Sequence, residues 1–182
     1  MQNPDSALFL DRDGVINRRI AGDYVRNLSQ LELLPGAIDA IVRIGERFRY
    51  VIVVTNQQGI GKGLMSDADV AEIHDYIIRR VQEAGGHIDR IYCCPSLKTA
   101  NDINRKPGVG MGLQAKRDFP DIDFSRSLMI GDSASDMLFA EKLGMSRIFI
   151  NNDGSVPENT TRVCKSLAEI ENKLKMKKYV HT

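Results

Sequence analysis

Short runs rich in valine, isoleucine and leucine recur along this chain at residues 7–10, 50–54, 88–93, 127–130 and 147–150, apolar on consecutive rather than alternate positions. A strand with one wet face alternates apolar and polar side chains, whereas a consecutive run needs both faces covered. Amphipathic stretches lie between the runs. Pro35 suits a helix start, and Ile38, Ile41, Val42 and Ile44 follow at helical spacing. Over 66–84 Ser66 can cap a helix, Asp67 and Asp69 favour its positive end, and Gly85-Gly86 stop it. Residues 112–118, 133–143 and 166–175 supply the remaining helices. This alternation predicts a three-layer α/β fold, a mainly parallel sheet with helices on both faces. A length of 182 residues suits one domain, 1–182, with a real core.

The composition narrows the function classes. A net charge of +1 provides no field for a nucleic acid or an anionic membrane, so neither is an expected partner. No apolar run approaches the roughly 18 residues of a bilayer span, and residues 1–6 are polar, without the pattern of a signal peptide. Three cysteines, two of them adjacent at 93 and 94, make a poor disulfide framework, and a cytoplasmic setting follows. The basic cluster at 173–178 belongs to a solvated polar tail, 175–182.

The strand ends carry the chemistry. The first runs into Asp11-Arg12-Asp13-Gly14, and a parallel strand delivers its last side chains to the sheet edge where open α/β folds hold ligands. Asp11 and Asp13 arrive there together, with Arg12 turned the other way if the extended backbone continues. Two such carboxylates repel unless a cation or a shared proton intervenes; a strand-ending turn would use the same residue types. The second strand ends in Thr55-Asn56-Gln57, whose hydroxyl and backbone amide can bind an oxyanion or simply cap a turn. Gly59-Ile60-Gly61-Lys62-Gly63 lacks the spacing of a nucleotide phosphate loop and reads as a turn before Ser66. After the third strand come Arg105, Lys106 and Pro107. Lys suits a phosphate as a point charge and Arg suits a forked contact, although surface charges would look the same. The fourth strand ends in Gly131-Asp132-Ser133, with Asp136 about one turn into the next helix, and both aspartates suit Mg²⁺. Segments 15–34 and 95–110 interrupt the alternation and should overhang the same edge. Residues 24–25 and 31–34 hint at a small hairpin in the first.

In this order, the DxD, Thr, Lys and GDxxxD elements resemble the motifs of the haloacid-dehalogenase-like (HAD) superfamily of aspartyl-phosphate phosphohydrolases, across residues 7–150. A finer resemblance is to the branch holding heptose-bisphosphate and histidinol-phosphate phosphatases. It is carried by the segment Phe9-Leu10-Asp11-Arg12-Asp13-Gly14-Val15-Ile16-Asn17, by Val53-Val54-Thr55-Asn56-Gln57 and by Arg105-Lys106-Pro107. The resemblance implies a Rossmann-like HAD fold without a large cap, a small flap over 15–34 and a substrate-side loop over 95–110. It implies Mg²⁺ as cofactor and a small phosphorylated metabolite as partner, in a monomer or small homo-oligomer. Asp11, Asp13, Thr55 and Lys106 would be catalytic, and Asn56, Gln57 and Arg105 would meet substrate. The metal would rest on Asp11, the Asp13 backbone carbonyl and Asp132, with Asp136 beside it. Asp13 would start protonated, with a raised pKa. The branch typically carries a zinc on a Cys-x-His pair and a later Cys-x-Cys pair. Here Cys94 matches the first ligand, but the other positions are Ser96, Asp102 and Asn104, and one Cys cannot hold a structural zinc. No zinc is expected. The expected substrate is D-glycero-D-manno-heptose 1,7-bisphosphate, with histidinol phosphate second. A polynucleotide 3′-phosphatase and a catalytically silent binding domain are the alternatives; the near-neutral charge opposes the first, and the intact Asp11, Asp13, Lys106 and Asp132 oppose the second.

Overall fold

In the computed structural model the described residues are 3–151, 155–158, 160 and 162–179, with the backbone alone for 3, 4 and 174–179. Among them, strands β1 (Asn3–Leu10), β2 (Phe48–Asn56), β3 (Arg90–Cys94), β4 (Leu128–Gly131), β5 (Ser146–Ile150) and β6 (Arg162–Cys164) form one sheet in the order β3-β2-β1-β4-β5-β6. Every neighbouring pair is parallel. The helices are α1 (Ala37–Gly45), α2 (Gln58–Gly61), α3 (Asp67–Glu83), α4 (Gly110–Asp118), α5 (Ala134–Leu143) and α6 (Leu167–Tyr179).

The consecutive apolar runs divide between two layers. From β1, Leu8 and Leu10 join Ile41 of α1, Ile77 of α3 and Ile170 of α6 on one face. Ala7 and Phe9 join Met111 of α4 and Phe139 of α5 on the other. All four β1 side chains are shut off from solvent, and burying a side chain of this size contributes about 1.5–3 kcal/mol relative to leaving it exposed. The three-layer parallel α/β fold is therefore the one the runs require. Ser66 caps α3 through a reciprocal pair with Asp69, as its position suggested.

The differences are local. Residues 88–89 precede β3, which begins at Arg90. The three-residue β6 has only Cys164 buried, so it leaves no apolar run in the sequence. Within the glycine-rich stretch, residues 58–61 form the short helix α2 rather than a plain turn. A Cβ at Gly61 would stand 2.6 Å from the Pro95 carbonyl oxygen, so the close approach of two loops fixes glycine there. In the flap the paired arms are residues 16–18 and 32–34, linked by Arg18 N–H to the Glu32 carbonyl at 2.8 Å and Leu34 N–H to the Ile16 carbonyl at 3.0 Å. Tyr24 and Val25 are not an arm; Val25 packs into the core and Tyr24 turns toward the cleft. Of the polar tail expected at 175–182, the backbone to Tyr179 continues α6 and the rest lies outside the described residues. Among the described residues no helix is long and apolar enough to cross a membrane.

Candidate active site

The chain adds β2 and β3 on one side of β1, then crosses back to lay β4 on the other. Ligands of open α/β sheets collect at such a reversal, beyond the carboxyl ends of the strands. Asp11 follows β1 there, its N–H bonded to the Ile130 carbonyl at 3.0 Å, and Asp132 follows β4. Lys106 reaches in from the loop after β3. Its Nζ donates to Asp11 Oδ1 at 2.8 Å and to the Val54 carbonyl at 2.6 Å, and pairs with Asp136 Oδ1 at 2.6 Å. Asp11 and Val54 thus accept two of the ammonium protons, and Asp136 supplies a second counter-charge, although the residue is 3% exposed. Burial works against its charge, but Asp11 and Asp136 outweigh it and hold the pKa above the ordinary value.

Asn56 lines the cleft, yet both ends of its amide are engaged by the Lys106 backbone: Nδ2 donates to the Lys106 carbonyl and Oδ1 accepts the Lys106 N–H, each at 3.0 Å. It positions Lys106. Gln57, expected at the substrate, is instead buried, and its Nε2 donates to Asp13 Oδ2 at 2.7 Å and Thr55 Oγ1 at 2.8 Å. The chain turns into α2 at this point, which carries the Gln57 side chain behind the cleft. Thr55 is buried beside it at the end of β2.

Asp11, Asp132 and Asp136 offer oxygens that lie within 4.8 Å of one another. Burial, opposed by Lys106 and helped by the charges of Asp136 and Asp13, pushes the Asp11 pKa up to about 6. Burial and then the charge of Asp11 push Asp132 up to about 8, against Arg19. Hard carboxylate oxygens so placed, still short of positive charge with Lys106 among them, fit a hard divalent cation. Asp136 is the most committed of the three. Its Oδ2 accepts from Ser133 N–H at 3.0 Å and Ser133 Oγ at 2.6 Å, capping α5, while Oδ1 faces Lys106.

Asp13 does not follow the sequence expectation. The backbone leaves the extended conformation after Asp11, and the Arg12 carbonyl accepts from the Ile16 N–H at 2.8 Å. Arg12 points toward α3 and away from the cleft, as the alternation anticipates, yet after this turn its Nη2 lies 3.1 Å from Asp13 Oδ1 and 3.0 Å from Oδ2. Burial works against ionisation of Asp13. The Arg12 charge and hydrogen bonds from Asn17, Gln57 and Arg12 outweigh it, so the pKa is lowered rather than raised.

The cleft above these groups has a volume of about 220 Å³. Arg19, Asp23 and Tyr24 of the flap line it together with Arg105. Arg105 is steadied by its Nη1 on the Ser96 carbonyl at 3.0 Å. Arg19, which the motifs did not single out, donates to Asp132 Oδ1 at 2.7 Å, so a cation held by the carboxylates would share Asp132 with it. The only signal in the sequence was its place in a flap overhanging this edge. The positions Cys94, Ser96, Asp102 and Asn104 do converge. The Asp102 carboxylate accepts from the Ser96 hydroxyl, from Cys94 Sγ at 3.8 Å and from Asn104 N–H at 2.8 Å, which folds the loop leading to Arg105 and Lys106.

Comparison with known proteins gives the family. Residues 103–170 match the model of the HAD-hydrolase-like family. The chain is 45% identical over 136 residues to a D-glycero-alpha-D-manno-heptose-1,7-bisphosphate 7-phosphatase of Mycobacterium bovis, covering 75% of this chain and 72% of the relative. It is 35% identical over 171 residues to the enzyme of the same name from Campylobacter jejuni, covering 94% and 96%. The solved D,D-heptose 1,7-bisphosphate phosphatase of B. bronchiseptica, complexed with magnesium and phosphate, superposes with a TM-score of 0.84 at 31% identity, over 94% of this chain and 99% of that one. The chain therefore belongs to the HAD-like phosphatases, in the family of the heptose-1,7-bisphosphate 7-phosphatases.

Proposed function

We propose that this chain is a Mg²⁺-dependent phosphatase that removes the 7-phosphate of D-glycero-D-manno-heptose 1,7-bisphosphate through an aspartyl-phosphate on Asp11. The observation that carries the reading is the meeting of Asp11, Lys106 and Asp132 at the sheet reversal, with Lys106 Nζ 2.8 Å from Asp11 Oδ1. The names of the relatives supply the substrate, with the alpha anomer favoured by the two named relatives.

The steps follow from the residues. Asp11 attacks phosphorus in line and the ester oxygen departs, which splits the hydrolysis into two easier displacements. Asp13, on the cleft side of its donors, gives a proton to the departing oxygen and takes one from the water that then attacks the phosphorylated Asp11. Its lowered pKa suits the second half-reaction. For the first, the negative charge of an arriving phosphate draws a proton onto it. Lys106 and the Thr55 hydroxyl steady the equatorial oxygens, where phosphoryl transfer gains most from positioning and charge. Mg²⁺ held by Asp11, the Asp13 carbonyl and Asp132 would neutralise charge between carboxylate and phosphate. Arg105, which lines the cleft, receives the anionic group that is not transferred. The partner is a small phosphorylated metabolite, and the setting is cytoplasmic, in keeping with free thiols at Cys93, Cys94 and Cys164.

Phosphate release from both anomers of the heptose bisphosphate, histidinol phosphate and other sugar phosphates, with Mg²⁺ and with EDTA, tests the reading. Release from the heptose bisphosphate should require Mg²⁺ and vanish in Asp11→Asn. Equal release by wild type and Asp11→Asn from every compound would sink it.

A further inference from the structure

Arg12 heads the largest side chains that are entirely buried, and its charge lies beneath the cleft rather than in it. Its Nη2 spans both oxygens of Asp13, while its Nη1 lies 3.3 Å from Nε2 of His74, which α3 delivers from 62 positions along the chain. Arg carries only donors, so Nε2 is the acceptor and the imidazole is neutral, with its proton on Nδ1. Burial and then the Arg12 charge push the His74 pKa down to about 4, which keeps that acceptor available. On the other side, Asn17 Nδ2 holds Asp13 Oδ1 at 2.9 Å and Gln57 Nε2 holds Oδ2 at 2.7 Å. The carboxylate is clamped from below and both sides, leaving the cleft as its open direction.

We propose that Arg12 and His74 are positioning residues for the reaction, fixing the Asp13 carboxylate in the orientation from which it exchanges a proton with the departing ester oxygen. The proposal rests on the reading in which Asp13 is the proton carrier. A buried ion pair that merely stabilised the fold would affect every substrate alike. An orienting pair affects the substrates whose leaving group needs the proton. A sugar alkoxide needs it strongly and p-nitrophenolate hardly at all, and a positioned acid contributes about 10²–10⁴-fold where it is needed.

The experiment compares kcat/KM for the heptose bisphosphate and for p-nitrophenyl phosphate, because kcat/KM reports the steps through the first displacement and not the hydrolysis of the phospho-enzyme. The variants are Asp13→Asn, Arg12→Met, His74→Leu and His74→Gln, the last keeping an acceptor for Arg12. Asp13→Asn should lose activity selectively on the sugar phosphate. Arg12→Met and His74→Leu should show the same selectivity, about 10-fold or more against the sugar phosphate and within about threefold on the aryl ester, and His74→Gln should restore most of it. Should Arg12→Met fail to fold, the His74 pair decides alone. Selective loss in Asp13→Asn with unselective or no loss in the Arg12 and His74 variants overturns this proposal only. No selectivity in Asp13→Asn overturns the role of Asp13 and this proposal with it.

Discussion

Gly131→Ala is a one-carbon change whose consequence can be worked through the site. Gly131 ends β4, and its backbone needs no left-handed conformation, so space is the only reason for glycine there. An added Cβ would meet the Cβ of Asp136 and stand 2.5 Å from its Cγ and 2.6 Å from its Oδ2. Asp136 is fully buried and cannot swing into solvent. It must move off Ser133, which uncaps α5, or off Lys106, which leaves charge unpaired beside Asp11. A lost cap costs about 1 kcal/mol, and overpacking a filled interior costs about 1–3 kcal/mol more. The sum, roughly 2–4 kcal/mol, corresponds to a fall in Tm on the order of 4–16 °C for a chain of this length. Phosphatase activity should fall at least tenfold in the same protein, because Lys106 shares the displaced carboxylate. Calorimetry and a phosphate-release assay at saturating Mg²⁺ read both effects. A variant within about 1 °C and twofold of wild type would refute the reasoning, since it would mean that Asp136 relaxes without disturbing Lys106 or the helix cap.

Asn56→Ala removes both hydrogen bonds to the Lys106 backbone. At about 1 kcal/mol each, Tm should fall by roughly 4–8 °C, and kcat should drop while KM changes little; a KM effect alone would instead make Asn56 a substrate contact. The raised Asp11 and Asp132 pKa values make the folded state bind protons that the unfolded chain releases near pH 4, so stability without metal should decline as pH rises from about 4 to about 8. Mg²⁺ should flatten that decline, and a Tm that rises over the same window in EDTA would contradict the sign. Phe139→Ala, fully buried against Phe9, should cost about 3–5 kcal/mol by denaturant titration. A cost below 1 kcal/mol would show that the layer between sheet and α5 repacks freely.

The sheet, its parallel sense and the layer on each face were legible from the chain itself, because consecutive apolar runs such as 7–10 call for burial on both sides and alternate with amphipathic helical stretches able to supply it. The edge holding the chemistry was legible for the same reason: in a parallel sheet, whatever follows each strand arrives at one side, so Asp11, Thr55 and Asp132 could be gathered before any coordinates. What the sequence could not contain was direction and partnership within that edge. Arg12 turns away from the cleft toward α3 as expected, but the bend after Asp11 also lets its guanidinium pair with Asp13, which the sequence did not show. Gln57 was expected at substrate and is buried with its amide on Asp13 and Thr55, because α2 begins where a turn was foreseen. The Asp13 pKa reversed sign with Arg12, and His74 joined the site from a helix 62 positions away, on an amphipathic face where nothing marked it. Periodicity is written residue by residue and survives in one dimension. The charge environment of a carboxylate is set by groups brought within about 3 Å from distant parts of the chain, and only the folded structure assembles them.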